Sequence, residues 1–292
     1  MMLAALLLTV ALPQSGATHD KAYWQSIAAH GFDVPEGSSA PALARELSAL
    51  LGSPDPELRD GCAYSILTSW IYQKKLLQPA DVRALAIEWQ ANLKAGVGST
   101  GDDRTLRRSF SALSLGVVIA RDNVEPFLEP VEVRAILDAA LAYLEAERDL
   151  RGYDEQKGWI HSAAHTADLI KFLARSRVIT VDDQRRILDA VTAKLRGAGQ
   201  VFVFGEDERY ARAVLSIIAR KDFDQAGFTA WVTRSTPARM AAKPSVADLQ
   251  ASQNAKNMLA KLEVLLSQAA DPVPAQVLAA RDAVRAALKT LF

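Results

Sequence analysis

The chain has 292 residues, half of them hydrophobic, and carries 34 basic and 34 acidic side chains. Because the net charge is zero and Lys and Arg form no concentrated run, neither nucleic acid nor an anionic membrane surface is expected as a partner. The single cysteine, Cys62, excludes an internal disulfide, and its apolar neighbours predict a small buried side chain in place of a catalytic thiol.

The first residues, MMLAALLLTVALPQSGA, have the pattern of a secretory signal peptide. An apolar run from Leu3 to Leu12 is followed by a proline and then by Ser15, Gly16 and Ala17. The run is shorter than the ~20 residues that span a bilayer, and charged residues interrupt the later apolar stretches. We therefore predict a signal peptide over residues 1–17. The mature protein is expected to be periplasmic or secreted, without a membrane segment.

Apolar residues recur at three- and four-residue spacings in almost every later segment, which predicts an all-α protein. Proline and acidic residues at several helix starts support the predicted boundaries. Short connections between long helices predict antiparallel helix pairs stacked as an α/α superhelix of the HEAT-like kind. The predicted helices cover residues 21–29, 40–51, 56–77, 79–95, 104–120, 130–150, 156–175, 181–196, 206–220, 224–233, 246–270 and 274–291.

Two segments have the composition of linkers. Residues 34–41 separate a short first helix from the body, and residues 234–253 separate the body from the last two helices. We therefore predict a superhelical domain over residues 18–233 and a C-terminal helical hairpin over residues 254–292. Two helices alone bury too little surface to be stable, so the hairpin is expected to cap the superhelix.

Two of the four histidines lie in the stretch KGWIHSAAHTAD. If this stretch is helical, His161, His165 and Asp168 share one stripe of the helix, with Lys157 beside it. Two imidazoles at this spacing suit one divalent metal ion, for which Asp168 is a third ligand or the acceptor that fixes a His tautomer. The same geometry places Trp159 on the far side from His161, which argues against Trp159 stacking on anything bound at the histidines.

A second polar cluster, the stretch GEDERY, opens a later predicted helix. Acidic residues in a first helical turn are favoured by the helix dipole whatever the function. The helical spacing turns Glu206 toward the interior and Glu208 away from it, and a buried carboxylate needs a partner. Arg209 on the same helix, His161 and His165 are the candidate partners.

The stretches RGYDEQKGWIHSAAHTADLIKFLARS, FGEDERYARAVLSIIARKDFD and RTLRRSFSALSLGVVIARDN resemble the bacterial family catalogued as domain of unknown function 2785. The resemblance is expected to cover most of residues 21–231 and to leave the C-terminal hairpin outside. It implies an all-α fold and supplies no established activity. The family pattern singles out Lys157, Gly158, Trp159, His161, His165, Asp168, Glu206, Asp207, Glu208 and Arg209.

Three kinds of function are compatible with these residues, and no catalytic residue is assigned. The first hypothesis is a metal-dependent hydrolase, in which His161, His165 and Asp168 hold a divalent metal cofactor that activates water. The second is a buried polar network that fixes helix register. The third, which we rank first, is a binding module that presents a polar groove to a peptide or protein partner. The residues assigned to this groove are Lys157, His161, His165, Asp168, Glu206, Asp207 and Arg209.

Overall fold

The structure of the protein, a computed structural model, describes residues 19–236 and 243–291. The predicted signal peptide lies outside the described residues, as do residues 237–242 of the predicted linker. Within the described ranges the chain forms twelve α-helices and one short two-stranded hairpin, which confirms the all-α prediction. None of the helices in these ranges is both long and apolar enough to cross a bilayer.

The elements follow one another along the chain with short connections. Two π-helical segments, Glu57–Tyr64 and Ser69–Gln73, flank α3 and continue it in both directions. Strands β1, Tyr153–Asp154, and β2, Gly158–Trp159, pair antiparallel. The helices are α1 Lys21–Ala29, α2 Ala40–Leu50, α3 Ser65–Thr68, α4 Pro79–Asn92, α5 Arg104–Val124, α6 Pro130–Ala146, α7 Ser162–Ala174, α8 Val181–Gly197, α9 Glu206–Ile218, α10 Gln225–Ser235, α11 Val246–Ser267 and α12 Ala275–Leu291.

The helices pack in two rows. In the first row, α3, α5, α7, α9 and α11 lie side by side in that order. In the second row, α6 packs against α7 and α8, and α8 packs against α10 and α11. Helix α4 packs on α5 at one end of the molecule, and α12 packs on α10 and α11 at the other. Stacked helix pairs of this kind are what the short connections predict.

The core between the rows contains the side chains that the apolar spacing assigns to it. Trp70, Trp89 and Trp231 are each no more than 1% exposed, and Cys62 is buried, as predicted. Each of the three indole N–H groups donates a hydrogen bond to a buried oxygen atom at 2.7–2.9 Å. Burial of these large rings therefore leaves their polar atoms satisfied.

The helix predicted over residues 156–175 is wrong in its first part, because α7 begins at Ser162. The carboxylate of Asp154 accepts the backbone N–H groups of Gln156 and Lys157, each at 2.9 Å, and so closes a turn between the strands. Gly158 then has a φ of 69°, a left-handed conformation that suits glycine. Lys157 and Trp159 consequently share no helical stripe with the histidines.

Helix α11 begins at Val246, where the predicted helix over residues 246–270 also begins. A capping box between Ser245 and Asp248 starts this helix. Asn254 is 1% exposed; its side chain accepts the N–H of Phe202 at 2.9 Å and donates to two backbone carbonyls at 2.8 and 3.1 Å. The predicted boundary at residues 253–254 thus falls inside α11, which joins the first row of helices.

Candidate functional site

The residues singled out by the sequence meet where the first-row helices begin. Ser109, near the start of α5, contacts His165, in the second turn of α7. His161, at the N-cap of α7, contacts Phe204, which lies just before α9. The β1–β2 hairpin is held at the same place by Arg59, whose guanidinium donates to two of its carbonyl groups. Three helix starts and the hairpin therefore build one site.

His161 is the centre of this site and has a left-handed backbone, with a φ of 51°. Its Nε2 atom donates to the carbonyl of Phe204 at 3.1 Å and lies 3.7 Å from Oε1 of Glu206. Burial, followed by the nearby charge of Arg209, lowers the pKa of His161 to about 4, although the bond to Phe204 opposes this shift. The imidazole is therefore neutral at pH 7 and carries its proton on Nε2.

His165 is present as the other neutral tautomer, which carries its proton on Nδ1 and not on Nε2. Its Nδ1 atom lies 2.8 Å from Oγ of Ser109, and that hydroxyl donates to the carbonyl of Ile160 at 2.5 Å. The hydroxyl proton is thus committed, so Nδ1 of His165 donates. Burial, and then repulsion from His161 when that imidazole is protonated, lower the pKa of His165 well below its usual range. Phe110 meets the ring edge-on at 4.8 Å between centroids. Ser109 is fully buried, which leaves it unsuited to act as a nucleophile.

Asp168 and Arg209 form an ion pair between α7 and α9. The other carboxylate oxygen of Asp168 accepts from Lys171 at 2.7 Å. Asp168 is 3% exposed, whereas the side chain of Arg209 is 43% exposed. Arg209 is therefore the partner of Asp168 and not of Glu206 on its own helix, because its long side chain reaches across to the neighbouring helix.

Glu206 points into the interior, as the helical spacing predicts, and is 1% exposed. Its Oε2 atom accepts the backbone N–H of Phe204 at 2.8 Å, and its second oxygen faces His161. Burial raises the pKa of Glu206, which the hydrogen bonds from backbone N–H groups partly offset. Of the three candidate partners for this carboxylate, His161 is the nearest in the structure.

Two predicted site residues have other contacts. The ammonium of Lys157 pairs with Asp103 at 2.5 Å, in the loop before α5. Asp207 accepts the backbone N–H of Glu208 at 2.9 Å in the first turn of α9. Neither contact involves a histidine, because the hairpin turns Lys157 away from the stripe that a helix would have given it.

The three predicted metal ligands are directed to different partners. His161 binds a carbonyl group, His165 binds a hydroxyl group, and Asp168 is neutralised by two cations. In residues 19–236 and 243–291, no group of three or more His, Cys, Asp or Glu side chains is placed to hold one metal ion. The structure therefore offers no ligand set for the metal hypothesis.

Several residues of the site carried no clear signal in the sequence. Arg59 is fully buried, lies over the ring of Phe110, and donates to the carbonyls of Lys157 and Trp159 at 2.6 and 3.1 Å. Its partners are about a hundred residues away in the chain. The sequence around Arg59 shows only the Asp and Arg spacing of a helix start, so this contact was missed.

A fully buried ion pair joins the start of α5 to the end of α6. Arg108, in α5, donates to both oxygens of Glu147, which follows α6, at 2.6 and 3.2 Å. Their side chains are 0% and 2% exposed. This bidentate pair fixes the connection between α6 and the hairpin relative to α5. A single Arg and a single Glu 39 residues apart give no sequence pattern that predicts this pair.

Three aromatic rings lie side by side at this site and face solvent. Tyr153, Trp159 and Phe204 are 49%, 41% and 44% exposed. The ring centroids of Tyr153 and Trp159 are 5.0 Å apart, and those of Trp159 and Phe204 are 6.2 Å apart. Trp159 stacks on His161, so the prediction that it lies on the far side of His161 is wrong. We call these three rings the aromatic surface.

The chain matches one known protein family, for which no activity is described. Residues 93–266 match the family described as "Protein of unknown function (DUF2785)". No curated protein and no solved structure matches the chain. The match excludes α1 to α4 and includes most of α11, so it begins later and ends later than the resemblance suggested. Because it spans more than half of the chain, including both histidines, the chain belongs to the DUF2785 family.

Proposed function

We propose that this protein is an exported helical binding module whose aromatic surface binds a segment of a peptide or protein partner. The observation that carries the proposal is that Tyr153, Trp159 and Phe204 are each more than 40% exposed and that Trp159 contacts both of the other rings. Single exposed hydrophobic residues are common, whereas large exposed rings that cluster are typical of interaction sites.

In this proposal, the buried polar residues that were predicted to line a groove support the aromatic surface and do not contact the ligand. His161, His165, Asp168 and Glu206 are only 1–8% exposed, so a ligand meets the rings above them and not these side chains. They hold the hairpin and the loop before α9 in place, with help from Arg59. A surface that is already ordered loses little conformational entropy when it binds.

The surroundings of the aromatic surface favour a peptide ligand. The half-exposed guanidinium of Arg209 lies on one side of the buried network, and the exposed ion pair of Lys157 and Asp103 lies beside the hairpin. An aromatic centre with a polar rim of both charges is the usual composition of a protein interface. A partner's apolar side chain packs on the rings, while its backbone groups meet the charged rim.

Selection from a peptide library on the purified protein tests this function. We expect enriched peptides to bind wild-type protein and to lose about tenfold or more in affinity with Trp159→Ala, because a central aromatic contact is removed. Tyr72→Ala is a matched control, because Tyr72 is 40% exposed and lies in the Ser69–Gln73 segment. Failure to enrich any peptide, or equal binding by both variants, contradicts the proposal.

A structural role for the histidine network is a second proposal, which the burial of its four members favours. The bonds from His165 to Ser109 and from His161 to Phe204 join α7 to α5 and to the loop before α9. Because Ser109 and both histidines are buried, a slip of one helix would leave polar groups unpaired. This network and the aromatic surface are compatible, since the first supports the second.

Export is supported by the apolar run of residues 3–12 and the small residues up to Ala17. N-terminal sequencing of protein recovered from the periplasm or the medium is expected to start at Thr18. Recovery of intact Met1 from the cytosolic fraction contradicts this part of the proposal.

A further inference from the structure

A cleft of about 660 Å³ opens at the other ends of the same three helices. It is lined by Asn123 at the end of α5, by the residues that follow α7, and by the last turn of α9 with the residues after it. This cleft lies at the C-terminal ends of α5, α7 and α9, whereas the histidine network lies at their N-terminal ends. It therefore belongs to neither the aromatic surface nor the network beneath it.

The cleft is rich in positive charge although the whole chain is neutral. One carboxylate, Asp222, is among the lining residues of the described chain. Such an excess of one sign within a concave surface concentrates ions of the opposite sign. The cationic lining residues are Arg175, Arg177, Arg220 and Lys221.

Two of these cations have structural partners. Arg177 pairs with Asp122 at 2.9 Å. Arg220 pairs with Asp222 at 2.8 Å and also donates to the carbonyl groups of residues 174, 176 and 179 at 2.7–2.8 Å. Those bonds satisfy carbonyl groups at the end of α7 and offset the negative end of its dipole. Because these carboxylates partly neutralise Arg177 and Arg220, the two cations attract an anionic ligand only weakly.

The other two cations, Arg175 and Lys221, pair with no carboxylate in the part of the chain that the structure describes. The Nε atom of Arg175 donates to the Ser216 hydroxyl at 3.0 Å, and its guanidinium lies over the ring of Phe172 at 5.5 Å. Partial burial of the guanidinium lowers the pKa of Arg175, although the residue as a whole is exposed. A bound anion would act in the opposite direction, because it favours the charged guanidinium.

We propose that Arg175 and Lys221 bind a phosphate group in this cleft. A guanidinium fork contacts two phosphate oxygens, and an ammonium adds a second charge, which together match the nearly double charge of a phosphate monoester at pH 7. Pro126, Leu215 and Ala219 form an apolar part of the wall. This wall and the volume of the cleft leave room for an organic group attached to the phosphate.

Calorimetric titration of the full mature chain with phenyl phosphate, inorganic phosphate and phenol tests the proposal. Phenyl phosphate is expected to bind once per chain and phenol is not. If inorganic phosphate binds as tightly as phenyl phosphate, the natural ligand is free phosphate. If inorganic phosphate binds more weakly, the natural ligand is a phosphate ester. No binding of either phosphate at millimolar concentration overturns the proposal.

Two charge-removing variants locate the site. Arg175→Gln and Lys221→Gln are each expected to weaken binding by about tenfold or more, because each removes a charge-assisted contact. Lys289→Gln, at the exposed end of α12, is the matched control and is expected to bind normally, as is Trp159→Ala. If Arg175→Gln unfolds, Lys221→Gln decides alone, because Lys221 is exposed. Unchanged binding by Lys221→Gln overturns the proposal.

Discussion

The indole ring of Trp159 stacks on the imidazole of His161, with 4.7 Å between the ring centroids and 21° between the ring planes. Trp159 is 41% exposed and His161 is 6% exposed. One side of the stack therefore faces solvent, and the other joins the polar network of α5, α7 and α9. Through this stack and its bond to Phe204, the His161 imidazole joins the hairpin to the loop before α9.

Replacement of His161 by alanine is expected to lower the free energy of unfolding by about 1–3 kcal/mol, because a buried hydrogen bond and a ring contact are lost. Urea denaturation measures this change, and His30→Ala, at the exposed end of α1, is a control that should be close to wild type. A chelator is expected to leave the urea denaturation curves of wild type and of His161→Ala unchanged. Wild-type protein that binds a metal and is destabilised by the chelator would instead support a metal site.

Acidification is expected to destabilise the protein between pH 7 and pH 5. Burial lowers the pKa of His161 from 6.5 to about 4 and that of His165 in the same direction. Between these values the unfolded chain binds protons that the folded chain does not, so the free energy of unfolding falls as the pH decreases. The raised pKa of Glu206 acts in the opposite direction above pH 4.5 and offsets part of the slope.

The measurement for this pH dependence is a series of urea denaturation curves at constant ionic strength. His161→Gln and His165→Gln should each reduce the slope between pH 7 and pH 5, because each removes one histidine that titrates differently in the two states. A slope that is the same in wild type and in both variants would show that other groups cause the acid sensitivity.

Replacement of Glu147 by alanine is expected to cost about 3–5 kcal/mol, because it leaves the guanidinium of Arg108 buried without a counter-ion. The double variant Arg108→Met with Glu147→Leu should be less destabilised than Glu147→Ala, since neither charge remains buried. Chemical denaturation of Glu147→Ala, of the double variant, and of its component single variants Arg108→Met and Glu147→Leu measures both effects. If the loss of unfolding free energy in the double variant equals the sum of the losses in its two single variants, Arg108 and Glu147 are not coupled.

Replacement of Asn254 by alanine is expected to lower the free energy of unfolding by about 1–3 kcal/mol, because backbone groups near Phe202 lose their buried partner. Limited proteolysis should then cut in or around α11 earlier than in wild type. Gln253→Ala is a matched control, since Gln253 is the exposed neighbour and bonds to Asn257 on the same helix. Release of the last two helices at the same rate in both variants would support a separate C-terminal hairpin.

Most helix boundaries were predictable because local chemistry starts and stops helices. Thr180 and Asp183 form the capping box that opens α8, and Pro79 opens α4. The prediction failed at residues 156–161, where Asp154 and Gly158 form a turn within a stretch whose spacing also suits a helix. Turn chemistry prevailed there because the hairpin gains contacts with Arg59 that a helix would not make.

Part of the membership of the candidate site was predictable from the sequence, whereas Arg59, Ser109 and the pairing of side chains between helices were not. The sequence by itself determined that Glu206 faces inward and that His161 and His165 belong together, because these properties follow from spacing along one element or from a family motif. Tertiary structure decided that Arg209 pairs with Asp168, that Ser109 holds His165, and that Trp159 covers His161. Such contacts depend on how helices approach one another in space, and the periodicity of a single helix carries no information about the side chains of its neighbours.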